Sequence, residues 1–174
     1  MKKDFVIPIA VLLAICVVIS GALAATNNVT SPIIVEAAAV RAERARTEIL
    51  PSADGFTAID ARLPDGVDEA YAATNGTGYV FTLSATGYGG SGSLVLMAAV
   101  SPDGKIIAVK TLANGETKGL GSKVSEPAYE TQFVGMDKNL TGYQAITGAT
   151  ISSKAYAGAV KIALEAYEVV KGAA

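Results

Sequence analysis

The chain has no histidine, and Cys16 is its only cysteine. Those two absences exclude most site chemistry. No cluster of His and Cys can hold zinc, haem or an iron–sulfur centre. Neither a Ser-His-Asp triad nor a Cys-His pair can be assembled, no intrachain disulfide can form, and there is no obvious acid–base pair for stand-alone catalysis. Any redox work must therefore run through an organic cofactor, and the sequence assigns no catalytic residue and no metal ligand. A basic stripe is missing as well. Fourteen Lys and Arg against 16 Asp and Glu give a net charge of −2, and the cations are scattered, so no nucleic-acid partner is expected.

The start reads MKKDFVIPIAVLLAICVVISGALAA, with no charge from Phe5 to Ala25. At about 1.5 Å per residue such a run spans the hydrocarbon core. It is longer than the core of a secretory signal, about 7–15 residues, so a retained transmembrane helix is expected despite the cleavage-like Ala22-Leu23-Ala24. Lys2 and Lys3 place the N-terminus in the cytoplasm by the positive-inside rule and the bulk of the chain outside. Pro8 falls near the expected helix start, where a missing N–H costs little. Cys16 follows Ile15, where a lipoprotein signal wants a small residue, and reads as lipid-facing.

The stretch TNNVT (Thr26–Thr30) reads as a polar exit from the membrane, and Ser31-Pro32 as an N-cap with Pro at the first helical position. The Ala-rich segment that follows, to Pro51, reads as a juxtamembrane helix, with Arg41, Arg44 and Arg46 on a solvated face. Beyond Pro51 short strands and turns take over. FTAID and GYVFTLSA are strand-like, and DEAYAATN is ambiguous. SLVLMAAV and KIIAVKTL around SPDG form the clearest hairpin. VSEPAYETQFVG predicts a short helix interrupted by Pro127, and GYQAI (Gly142–Ile146) a short strand. In the last segment Tyr156, Ala159, Val160, Ala163, Leu164, Tyr167 and Val170 recur at helical spacing, with Ser152 or Ser153 as cap and Gly172 near the end. The expected organisation is a cytoplasmic tip and transmembrane helix (1–25), a juxtamembrane linker and helix (26–51), and a small α+β domain (52–174), an antiparallel sheet with helices packed on it.

GYGGSG (Gly87–Gly92) matches a dinucleotide fingerprint as a string, yet a strand rather than a helix follows it, which leaves a turn or ligand-edge loop. GLGSK (Gly119–Lys123) lacks the Gly-Lys-Ser/Thr order of a phosphate-binding loop. The informative stretch is ITGATISS (Ile146–Ser153). A turn and helix cap would account for its hydroxyls. A helix N-terminus is also a ready anion site, Lys154 can add charge, and the small Gly148 and Ala149 admit close approach to Thr150. The stretch suits a phosphate, including one bonded to the Thr150 hydroxyl.

TGAT followed by a hydrophobic residue and Ser resembles the flavinylation motif of the FMN-binding domain family. GYGG before a strand, DGKI at a hairpin, then GETKGLGSKV and EPAYETQF in that order extend the resemblance from about Thr77 to Ala166. It is similar to the G subunit of Rnf electron-transport complexes, whose N-terminal anchor it also shares. Lys118 stands where the family's ETPGLG loop has Pro, and Gln144 where its motif commonly opens with Asp.

The resemblance implies FMN joined through its phosphate to Thr150. It also implies a cofactor site drawn from Glu116, Thr117, Leu120, Gly121 and Lys123, from Tyr88 and Gly89, and from Thr147, Gly148, Ala149, Ile151 and Ser152. The composition agrees independently: flavins attached through the ring use His or Cys, and the outer domain has neither. The implied protein is a single-pass cell-membrane electron carrier with an extracytoplasmic FMN-binding domain. It would serve an ion-translocating ferredoxin:NAD+ oxidoreductase, with the other membrane and peripheral subunits and a maturing flavin transferase as partners. The alternatives are the related C subunit of the Na+-translocating NADH:quinone reductase, which is usually longer, and a cofactor-free membrane-anchored binding protein.

Overall fold

The computed structural model describes residues 2–171 and divides into two units, one running to Arg41 and the other starting at Ala42. Gly172 lies outside the described residues. Helix α1 (Lys2–Ile49) runs without a break through both the apolar run and TNNVT. The expected fresh start capped by Ser31 is not found, and Pro8 and Pro32 both lie inside the helix. The Thr26 and Thr30 hydroxyls donate to the carbonyls of Ala22 and Thr26 at 2.9 and 3.0 Å, so these side chains bond along their own helix instead of ending it. From Val6 to Leu23 the large apolar side chains of α1 are exposed. Among the described residues this is the helix long and apolar enough to cross a membrane, an 18-residue window of it having a mean hydropathy of 2.8.

The second unit is built on an antiparallel sheet in the order β1 (Phe56–Ala58), β2 (Val67–Ala73), β3 (Tyr79–Gly87), β4 (Gly90–Val100) and β5 (Ile106–Asn114). The ambiguous DEAYAATN forms most of β2, paired to β3 with Tyr71 opposite Val80. Strand alternation sorts the side chains onto two faces. Phe81, Leu83, Leu94, Leu96, Ala98 and Val100 face α3 (Thr150–Val170), whose predicted apolar stripe from Tyr156 to Val170 is buried against them. Val80, Met97 and Ala99 on the opposite face are covered by Ala45, Ile49 and Leu50 at the end of α1. There Arg46 leaves the expected solvated face: its guanidinium lies 4.0 Å from the centre of the Tyr71 ring and 3.6 Å from the Glu69 carboxylate.

Pro127 starts a helix rather than interrupting one. It opens α2 (Pro127–Glu130) at the first helical position, between 3-10 turns at Gly121–Ser125 and Thr131–Phe133. GYQAI is not a strand. The near sheet edge is already occupied, since Ile106 exchanges backbone bonds with Gly135 and Met136 at 2.8 and 2.9 Å and Glu130 accepts from Thr111 N–H at 2.7 Å. With no edge to join, Gln144 N–H donates to the Gln132 side chain at 2.8 Å, and Tyr143 stacks on Phe133, itself stacked on Tyr156 of α3. The loop leading into ITGATISS is thereby held by aromatic packing.

Candidate functional site

Gly148 turns the chain into α3 at φ +82°, a left-handed conformation that residues with a Cβ rarely adopt. The helix then begins at Thr150, with Ala149 at the cap position and no side chain capping it. Ser152 and Ser153 are not caps. They lie within the first turn, buried, and their hydroxyls are committed elsewhere. Ser153 Oγ accepts from Ile146 N–H at 3.0 Å, which pins the incoming loop, and Ser152 Oγ donates to the Glu116 carboxylate. The first N–H groups of this 21-residue helix therefore remain available at the positive end of its dipole. Thr150 is exposed beside them.

Glu116 organises the other wall. It follows the end of β5 and is buried, 7 % exposed. Its carboxylate accepts from Tyr88 N–H at 2.9 Å and Gly89 N–H at 3.0 Å, from Ser93 Oγ and from Ser152 Oγ. Gly87 pairs with Gly90, so GYGGSG is a tight hairpin with Tyr88 and Gly89 at its tip, held down by this one side chain. Gly121 must be glycine here for reasons of space: a Cβ would sit 2.6 Å from Ser152 Oγ and 2.8 Å from Glu116 Cβ.

Between these walls lies a cavity of about 450 Å3. Tyr88 lines it from the hairpin, Thr117, Leu120 and Gly121 from the loop after β5, and Gly148, Ala149, Thr150, Ile151 and Ser152 from the start of α3. Among the described residues no charged side chain lines it, so the positive field at its helix end comes from backbone. Tyr88, Leu120 and Ile151 are exposed apolar groups at its rim, at 71 %, 50 % and 57 %. The arrangement suits a ligand with an anionic end and a flat, largely apolar body, which are the properties of FMN.

Four expected site residues are not on this lining. Glu116 and Gly89 lie behind it, Gly89 so close to Gly115 that a Cβ would meet the Gly115 carbonyl at 2.5 Å. Lys123 and Thr147 are exposed away from it, as is Lys154. Ser93, which the sequence did not single out, joins the wall behind the cavity. It is buried and bonded to Glu116 and to Gly87 N–H, yet nothing in GGSGS separates it from Ser91.

Burial pushes the Glu116 carboxyl up, but the hydrogen bonds from Ser152, Ser93, Gly89 and Tyr88 outweigh it and hold the group below its ordinary value of 4.5. A lowered folded value means stability that is fully present above the ordinary range and lost as pH falls through the lowered value. The difference in thermal midpoint between wild type and Glu116→Gln is therefore expected to be constant at neutral pH and to shrink below about pH 4.5. A difference independent of pH, measured by circular dichroism melts from pH 7 to pH 3, would show that the charge contributes nothing.

The FMN-binding domain family matches residues 87–165, a span from the Tyr88 hairpin into α3. Relatives match over nearly the whole chain. The G subunit of the proton-translocating ferredoxin:NAD(+) oxidoreductase complex of Clostridium ljungdahlii is 35% identical, covering 88% of this chain and 86% of that protein. The G subunit of the Na(+)-translocating ferredoxin:NAD(+) oxidoreductase complex of Acetobacterium woodii is 32% identical over 91% and 89%. The G subunit of the ion-translocating oxidoreductase complex of Methanosarcina acetivorans is 29% identical over 98% of both.

Proposed function

This chain belongs to the G-subunit family of ion-translocating oxidoreductase complexes and carries its FMN-binding domain, and we propose that it is a membrane-anchored electron-transfer subunit whose FMN is bonded through its phosphate to Thr150. One observation carries the assignment. Of the four hydroxyls in ITGATISS, only Thr150 both lines the cavity and has no partner among the described residues. Ser152 is bonded to Glu116, Ser153 to Ile146, and Thr147 lies off the lining. The free N–H groups at the start of α3 would hold the phosphate, and Tyr88, Leu120 and Ile151 would flank the ring.

FMN supplies the electron-carrying chemistry, and the chain supplies placement. The covalent tether keeps the local flavin concentration high without a deep pocket, so the ring can stay near the surface and exchange electrons with neighbouring subunits. The electrons come from ferredoxin and go on to NAD+ through the other subunits, coupled to movement of Na+ or H+. The protein made with a flavin transferase should carry the mass of FMN less one water, and its flavin should survive denaturation. Colourless protein would favour the cofactor-free reading.

Lys2 and Lys3 on the near side of the apolar run support a domain outside the cytoplasm by the positive-inside rule. A reporter active only outside the cytoplasm, fused to the C-terminus, is expected to give full signal. Activity confined to a cytoplasmic reporter at the same point would reverse the topology.

A further inference from the structure

We propose that Glu116 is a positioning residue for the flavin: its carboxylate ties the Tyr88–Gly89 hairpin to the first turn of α3 and so fixes the separation of the two cavity walls. The inference rests on the proposed function for the identity of the ligand. It does not require Glu116 to touch that ligand.

The geometry is specific. One carboxylate oxygen, Oε1, accepts from Gly89 N–H and Ser93 Oγ, and the other, Oε2, from Tyr88 N–H and Ser152 Oγ. The donors come from the hairpin tip, the start of β4 and the start of α3, and among the described residues no other side chain hydrogen-bonds to all three. Among the described residues Glu116 has no ion-pair partner, so neutral donors alone hold its charge. The surroundings leave no slack. Gly87 and Gly121 both pack where any Cβ would collide with Glu116. The loop carrying Glu116 is itself anchored, its N–H donating to Asn114 Oδ1 at 2.9 Å while Asn114 Nδ2 donates to Ser122 O at 3.3 Å and to Ser125.

The charge matters because all four partners donate. A carboxylate accepts at both oxygens, whereas an amide accepts at one and donates at the other. In Glu116→Gln a serine hydroxyl can rotate to accept from the new NH2, but a backbone N–H cannot. Whichever way the amide lies, Tyr88 or Gly89 loses its acceptor. Since Tyr88 is the hairpin's contribution to the cavity, a loosened tip moves one wall relative to Thr150 and Ile151 on the other.

The test uses the full-length protein in two forms. In flavin-free protein, Glu116→Gln is expected to speed amide exchange at Tyr88 or Gly89, whichever faces the new NH2, about tenfold or more, the scale set by a hydrogen bond to a charged group. In flavinylated protein, Glu116→Gln and Ser152→Ala are both expected to weaken the visible circular dichroism of the flavin and to increase its quenching by iodide, with covalent flavin still present. A role limited to stability would lower the melting temperature and leave these flavin signals unchanged. Unaccelerated exchange, or wild-type flavin signals in both variants, would overturn the proposal. If Glu116→Gln does not fold, Ser93→Ala decides by the same flavin signals, because Ser93 bonds Glu116 from β4 and lies off the cavity lining. Absence of flavin from the wild type would overturn the proposed function instead, and the exchange measurement would still uphold or reject the tie.

Discussion

Thr150→Val protein, produced in full length beside a flavin transferase, is expected to carry no covalent flavin while its domain stays folded. Valine keeps the β-branched shape of threonine and removes only the hydroxyl. That hydroxyl is exposed and makes no bond among the described residues, so its loss should shift stability by no more than about 0.5 kcal/mol. The helix start loses its nucleophilic oxygen, and the two serines that follow cannot replace it: Ser152 is turned into the core toward Glu116 and Ser153 toward Ile146. Thr147→Val and Ser152→Ala retain the Thr150 hydroxyl and should retain flavin. Intact mass and in-gel fluorescence after denaturation separate these outcomes. Covalent flavin on the Thr150→Val protein would place the linkage elsewhere and remove the central assignment.

Gly121→Val should have the largest effect on the fold around the site. A glycine in a cofactor site can serve to let backbone approach the ligand. The structure gives a nearer cause, because the space a Cβ needs is taken by Glu116 and by the Ser152 hydroxyl. Valine must push these groups apart, which breaks the Ser152–Glu116 bond and overpacks the junction, a cost of about 3 kcal/mol at the upper end for such substitutions. The expected result is a lower thermal midpoint even in flavin-free protein, together with poor flavinylation. A normal midpoint with reduced flavin would restore the ligand-approach explanation. The α1 segment before Arg41 should insert into membranes in either case, since it has no residue in this junction.

What the sequence determined by itself is whatever local order encodes. The charge-free run from Phe5 to Ala25 can form only an apolar helix surface. Alternation in SLVLMAAV and KIIAVKTL can bury one side of each strand, and the stripe from Tyr156 to Val170 can pack only one face of α3. TGAT drew attention to Thr150 as a string of residue types. Whether α1 would break at TNNVT was not legible, because threonine bonds equally well to water or to its own helix, and here it does the latter. GYQAI has strand composition but no free edge to join, and edges belong to the whole sheet.

Only the tertiary structure decided which hydroxyls of ITGATISS are free. Ser152 meets Glu116 across 36 residues of sequence, and Ser93 meets it across 23. Hydrogen-bond partners at such separations are set by the meander, which brings the β3–β4 hairpin and the end of β5 beside the start of α3. Periodicity fixes which face of an element is apolar, because that depends on neighbours three or four residues away. It carries no information about which polar group on another element will meet a polar side chain turned inward.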